Sequence, residues 1–121
     1  MKISKFQIDC IRYILVGFKD LVHYLNQIEY LKLESIEHTG VGCIYQYSLK
    51  DYKIPLYTEN QILSGGQIEA AEFPNGATLT LRIADGIIDS LEILAHDSDY
   101  PFYEPVQYNF VSPPINLIED V

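Results

Sequence analysis

The chain has 121 residues, ten tyrosines, no tryptophan and a formal net charge of −9. That length supports one hydrophobic core and is short for two ordinary domains, which cluster near about 100–150 residues each. A field of this sign repels phosphate backbones and anionic lipid, and no apolar run approaches the ~20 residues that span a bilayer, so neither nucleic acid nor a membrane is expected as a partner.

Lys2 and Lys5 precede the apolar stretch Ile11 to Phe18, the layout of a secretory signal. Asp9 and Arg12 interrupt it and no small-residue cleavage site follows, so a cytoplasmic location is expected. From about 5 to 27, Ile8, Ile11, Leu15, Phe18, Val22 and Leu25 recur at spacings of three and four, which predicts one amphipathic helix packed on a sheet. Ile14 and Leu21 widen its apolar stripe, and Gly17 marks a point of close approach. Its polar side holds too few basic residues for a membrane-surface helix. Cys10 falls in this helical pattern and Cys43 in a strand pattern, so both are read as buried thiols, bridged only if the fold juxtaposes them.

Beyond Tyr30 the period falls to about two. Leu31, Leu33, Ser35 and Glu37 alternate with Lys32, Glu34 and Ile36, predicting a strand over about 30–37. A second strand is expected over about 41–49, where β-branched and aromatic residues concentrate, with Thr39, Gly40 and Gly42 forming a turn or bulge before it. Gly40 and Gly42 lack the third glycine and the following helix of a phosphate loop. Lys50 to Ser64, with Pro55 and Asn60, has little periodicity and reads as a loop.

Strands follow over about 66–73, 77–84 and 87–95, joined at Pro74-Asn75-Gly76 and at Asp85-Gly86, both hairpin signals. A two-residue turn at Asn75-Gly76 pairs Ala70 with Leu81, Ile68 with Ile83 and Glu69 with Arg82. It sends Ile68, Ala70, Leu79, Leu81 and Ile83 to the core and leaves Glu72 as a misfit near the turn. At the second turn a two-residue loop would set Leu91 and Ile93 on the wet face opposite Thr80 and Thr78. A three-residue loop of Ala84, Asp85 and Gly86, pairing Ile83 with Ile87, is therefore preferred, with Ser90, Glu92 and Leu94 facing outward. His96 to Pro105 is turn-like, 106–111 has the composition of one more short strand, and 112–121 reads as a tail. The expectation is a single α+β domain spanning 1–121, with one N-terminal amphipathic helix on one face of a mostly antiparallel meander of about five strands.

No catalytic set, metal site or cofactor is expected. His96-Asp97-Ser98-Asp99 with Glu92 nearby offers oxygen and imidazole ligands, but a polar turn explains the same residues, and the spacing is not that of an EF-hand. His23 and His38 have no cysteine at ligand spacing. Charge is more informative. From Ile54 onward Arg82 is the one basic residue against eleven carboxylates, whereas the earlier part has seven basic residues against six acidic. Such a field speeds encounter with basic partners and also serves simple solubility. Tyr52, Tyr57, Tyr100 and Tyr103 fall in irregular segments, where tyrosine supplies contact area at interfaces or plugs the edge of a core.

Three fragments resemble small bacterial immunity proteins of polymorphic and contact-dependent toxin systems. They are Thr39-Gly40-Val41-Gly42 leading into a strand, the Asp85-Gly86 hairpin ending in Leu91-Glu92-Ile93, and the Asp97 to Pro101 segment, within about Glu34 to Pro101. The resemblance implies an acidic surface that neutralises a basic toxin, commonly a nuclease, and assigns no site residue by position. The expectation drawn is a cytoplasmic, non-enzymatic binding protein that occludes a toxin domain through Glu69, Glu92, Asp97, Asp99, Tyr100 and Tyr103. Two other readings stand beside it: a small metal- or small-molecule-dependent enzyme using His96, Asp97 and Glu92, and a self-associating domain that forms a homodimer through an open sheet edge.

Overall fold

A computed structural model describes residues 2–50 and 59–117. The first helix, α1, spans Lys5–Val16; Ser4 caps it by accepting a hydrogen bond from the Gln7 N–H at 3.2 Å. It buries Phe6, Cys10, Ile11, Ile14 and Leu15. The expected continuous helix over 5–27 does not form. Gly17 ends α1, Phe18 is extended, and the chain resumes as 3-10 turns over Lys19–Tyr30. The shorter period changes which residues face inward: Leu21, Tyr24 and Gln27, three apart, are buried with Ile28, while Val22 is exposed.

Among the described residues, seven strands form one sheet: β1 (Leu31–His38), β2 (Gly42–Leu49), β3 (Gln61–Ala70), β4 (Phe73–Ala84), β5 (Ile87–Ala95), β6 (Asn109–Ser112) and β7 (Ile115–Asn116). Their order is β1-β2-β5-β4-β3-β6, with β7 also on β3, and every pairing is antiparallel. The protein is therefore α+β with an antiparallel sheet, but not a simple meander, because β2 lies beside β5 and not beside β3. That pairing aligns Tyr45 with Leu91 and Cys43 with Ile93, matching buried residues across the two strands. Gly42 makes it possible, since a β-carbon there would collide with the Ile93 carbonyl.

Both hairpins depart from the expected register. The first turns at Ala71-Glu72, with Ala70 opposite Phe73 and Ile68 opposite Ala77, so Arg82 pairs with Ile62 and Glu69 with Asn109. Pro74-Asn75-Gly76 is instead a bulge inside β4, with Gly76 at φ +83° and its carbonyl accepting from His96 N–H at 2.9 Å. The second hairpin does have a two-residue turn, with Asp85 and Gly86 at φ +52° and +76°. The phase is corrected further along: Ile83 pairs with Ile88 but Arg82 with Ser90, so Asp89 is an extra residue. Leu91 and Ile93 reach the core by that bulge and not by a longer loop.

Two other boundaries move. Gln61–Ser64, expected in a loop, begins β3, and the supposed tail supplies the end of β6 and all of β7, with Pro114 buried against Gly66. Tyr52, Tyr57 and Pro55 lie outside the described residues.

The core joins α1 and the 3-10 turns to one sheet face, through Leu33, Tyr45, Tyr47, Leu63, Ile68, Leu79, Leu81, Ile83, Leu91 and Ile93. Buried Gln27 ties the layers: its amide donates to Gly86 O at 2.8 Å and its oxygen accepts from Ile88 N–H at 2.9 Å. The opposite sheet face carries Gln46, Thr78, Thr80, Arg82, Ser90 and Glu92 in neighbouring register positions, exposed or half-buried. Among the described residues, no helix is long and apolar enough to cross a membrane.

Candidate binding surface

Antiparallel pairing brings the β1–β2 turn, the β3–β4 turn and the exit of β5 to one end of the sheet. The chain leaving β5 is stitched across that end. His96 N–H donates to Gly76 O and Tyr100 N–H to Gly40 O, each at 2.9 Å, while Ala95 N–H donates to Val41 O at 2.8 Å. The Thr39 to Gly42 turn and the Asp97 to Pro101 segment are thus interlocked through backbone bonds.

His96 is anchored from both ring nitrogens. Nδ1 faces the Asn75 carbonyl at 3.2 Å and Nε2 the Thr78 hydroxyl. A carbonyl can only accept, so Nδ1 carries a proton, and in the neutral ring Nε2 accepts from Thr78. Both nitrogens are then engaged in holding the β4 bulge to the end of β5. Among the described residues, no group of three or more His, Cys, Asp or Glu side chains is arranged to hold a metal ion.

The next segment alternates buried anchors with exposed apolar groups. Tyr100 is 5% exposed and stacks on Phe73 with ring centres 5.6 Å apart. This corrects its expected role as a surface anchor: the Gly40 bond pulls the backbone inward, and the ring completes the core. Glu104 is held by Tyr45 Oη at 2.9 Å and Gln7 Nε2 at 3.0 Å, and Gln7 accepts in turn from Tyr47 Oη at 2.8 Å. Burial drives the Tyr45, Tyr47 and Tyr100 phenols well above their ordinary value. Burial likewise raises Cys43 to about 11 and Cys10 well above its usual value, so both free thiols stay protonated at neutral pH. Between these anchors Phe102, Tyr103 and Val106 are 80%, 66% and 91% exposed. They are presented on a loop fixed at Tyr100, Glu104 and buried Pro105.

Comparison with protein-family models, with curated proteins and with solved structures finds no match to this chain.

Beside the exposed loop, the β3–β4 turn, the start of α1 and the segment through Phe110 enclose an open groove of about 1430 Å³. Glu69, Glu72 and Tyr103 line it, as do Lys5, Asp9 and Tyr108. Burial alone would raise the Asp9 carboxyl, but hydrogen bonds from Lys5 and Tyr108 and the charges of Lys5 and Arg12 outweigh it and hold the group below its usual value.

Of the six residues expected to bind a partner, the structure brings Glu69, Asp97, Asp99 and Tyr103 to this end; the two aspartates and Glu69 are exposed. Glu92 stands apart, half-buried on the solvent-facing side of the sheet beside Ile44 and Thr80. Sequence reasoning missed Phe102, Val106, Glu72 and Glu104. The spacing of Pro101 and Pro105 around two aromatic residues was the available signal for a rigid presenting loop.

Proposed function

We propose that this chain is an acidic binding protein that docks a basic protein partner at the end of the sheet. In its most specific form, the partner is a toxin domain, a nuclease in particular, whose active surface the chain covers in the cytoplasm as an immunity protein does. The observation carrying the reading is the anchored loop that exposes Phe102, Tyr103 and Val106 at the same end as Glu69, Asp97 and Asp99. Exposed aromatics supply desolvated contact area, and surrounding carboxylates supply steering. The resemblance of the three short fragments within Glu34 to Pro101 to immunity proteins and the charge of −9 point the same way.

The test searches the reading frames beside this chain's gene for a toxin domain and measures its association with the chain. Replacing Asp97 and Asp99 with lysine is expected to slow association about tenfold or more at low salt and to flatten its salt dependence, because steering is an electrostatic effect on the encounter rate. Melting temperature should fall only slightly, since both side chains are exposed and the cost of lysine at Asp97, where φ is +52°, is local. Glu92→Lys, on a different surface, should act only through total charge and change the rate less. Equal rates for wild type and the Asp97/Asp99 double reversal would remove this end of the molecule as the docking surface.

A further inference from the structure

We infer that the groove between the β3–β4 turn and the carboxy-terminal segment seats an arginine-bearing stretch of the partner, its guanidinium held by Glu69 and Glu72 beside the Tyr103 ring. This rests on reading the chain as a binder of a basic protein and assigns part of that contact to named groups.

Size selects the class of occupant. Small-molecule pockets enclose roughly 300–1,000 Å³ and bury most of their ligand. A groove of about 1430 Å³ that is widely open suits a stretch of polypeptide lying across it.

The groove already holds one cation of its own, which shows what its chemistry accepts. Lys5 Nζ lies 2.6 Å from Asp9 Oδ2 and 5.8 Å from the centre of the Tyr108 ring, so a carboxylate and a phenol ring share one ammonium. Glu69, Glu72 and Tyr103 bring the same two kinds of group to the same groove without a cation. Among the described residues, no hydrogen bond or ion pair engages the side chain of either glutamate. Ala70 and Ala71, with short side chains, line the same groove as the two glutamates and the Tyr103 ring. A guanidinium suits this set better than an ammonium, because its planar fork can bond carboxylates through several N–H groups while its face rests on an aromatic ring.

The experiment is a low-salt titration of isotope-labelled full chain with a short peptide alternating arginine and glycine, with its lysine counterpart, and with free arginine, followed by amide shifts. Shifts gathered at Glu69 to Glu72, Tyr103 and Asn109, tighter for the arginine peptide than for the other two, are expected. The neutral isosteres Glu69→Gln and Glu72→Gln together should weaken that binding about tenfold, the size of one charge-assisted contact, with the melting temperature held. Glu92→Gln, on the other sheet face, should leave the groove shifts in place. Shifts that gather at Asp97 and Asp99 and ignore the glutamine pair would overturn the groove while leaving the basic-partner reading intact. Equal binding of free arginine would overturn the polypeptide occupant, and no binding of either peptide would overturn both readings.

Discussion

Gly42 illustrates how a single missing side chain shapes this sheet. Its neighbour across the strand pair approaches so closely that a β-carbon would overlap the Ile93 carbonyl, a backbone atom that cannot swing aside. Gly42→Ala is expected to destabilise the protein by about 1–3 kcal/mol, the usual range for overpacking. Urea unfolding should show the midpoint falling with an unchanged slope. A variant as stable as the parent would mean that β2 and β5 can separate without loss. Gln27 is a second case: a buried amide bonded to both Gly86 and Ile88, in a segment whose pattern marks Gln27 only as a polar residue near a helix end. Side-chain satisfaction of that kind depends on which backbone arrives opposite, and no local pattern announces it.

At the scale of elements, the hairpins show where local signals are ambiguous. Asn75-Gly76 and Asp85-Gly86 both permit positive φ, yet the first became a strand bulge and the second a turn. Gly76 and Gly86 both take positive φ; how each is used was settled by what packs on it, here His96 against Gly76 and Asn75. The Asp89 bulge makes a sharp test. Deleting Asp89 restores simple alternation and turns either Leu91 and Ile93 or Ile88 outward, so cooperative unfolding should be lost. Inserting one glycine after Gly86 in the same chain lengthens the loop and should recover it, since the phase is corrected at the other position. Failure of the insertion to rescue would assign the bulge a role beyond phase. Gly17 likewise reads as a helix residue from its neighbours' spacing, but the change to 3-10 turns beyond it moved Val22 outward and Tyr24 inward.

The whole molecule joins a negative exterior to a core rich in phenols. Tyr45, Tyr47, Tyr100 and Tyr108 all have their ionisation raised by burial, with nearby carboxylates adding to it. The folded chain therefore keeps protons that the unfolded chain releases near pH ~10. The stability these groups contribute is fully present below that pH and is lost as pH rises above it toward the raised folded values. Urea midpoints should hold up to about pH 9 and fall steeply beyond about pH 10, with phenolate absorbance from Tyr45, Tyr47 and Tyr100 appearing only as the chain unfolds. Reversible ionisation of these three near pH ~10 in a folded chain would contradict their burial.

Composition and periodicity were enough to establish an α+β chain with an antiparallel sheet, core residues such as Ile11, Leu15, Ile68, Leu79, Leu81, Leu91 and Ile93, and a net charge concentrated after Ile54, because each follows from local spacing or from counting. Which strand lies beside which, where Tyr100 points and which carboxylates share a surface were decided only by tertiary structure. Those features depend on contacts between residues far apart in the chain: Cys43 with Ile93, Gly40 with Tyr100, Gln7 with Glu104. A one-residue bulge is nearly invisible in a pattern but reverses which face every later residue of a strand occupies, so the long-range register had to be seen to be known.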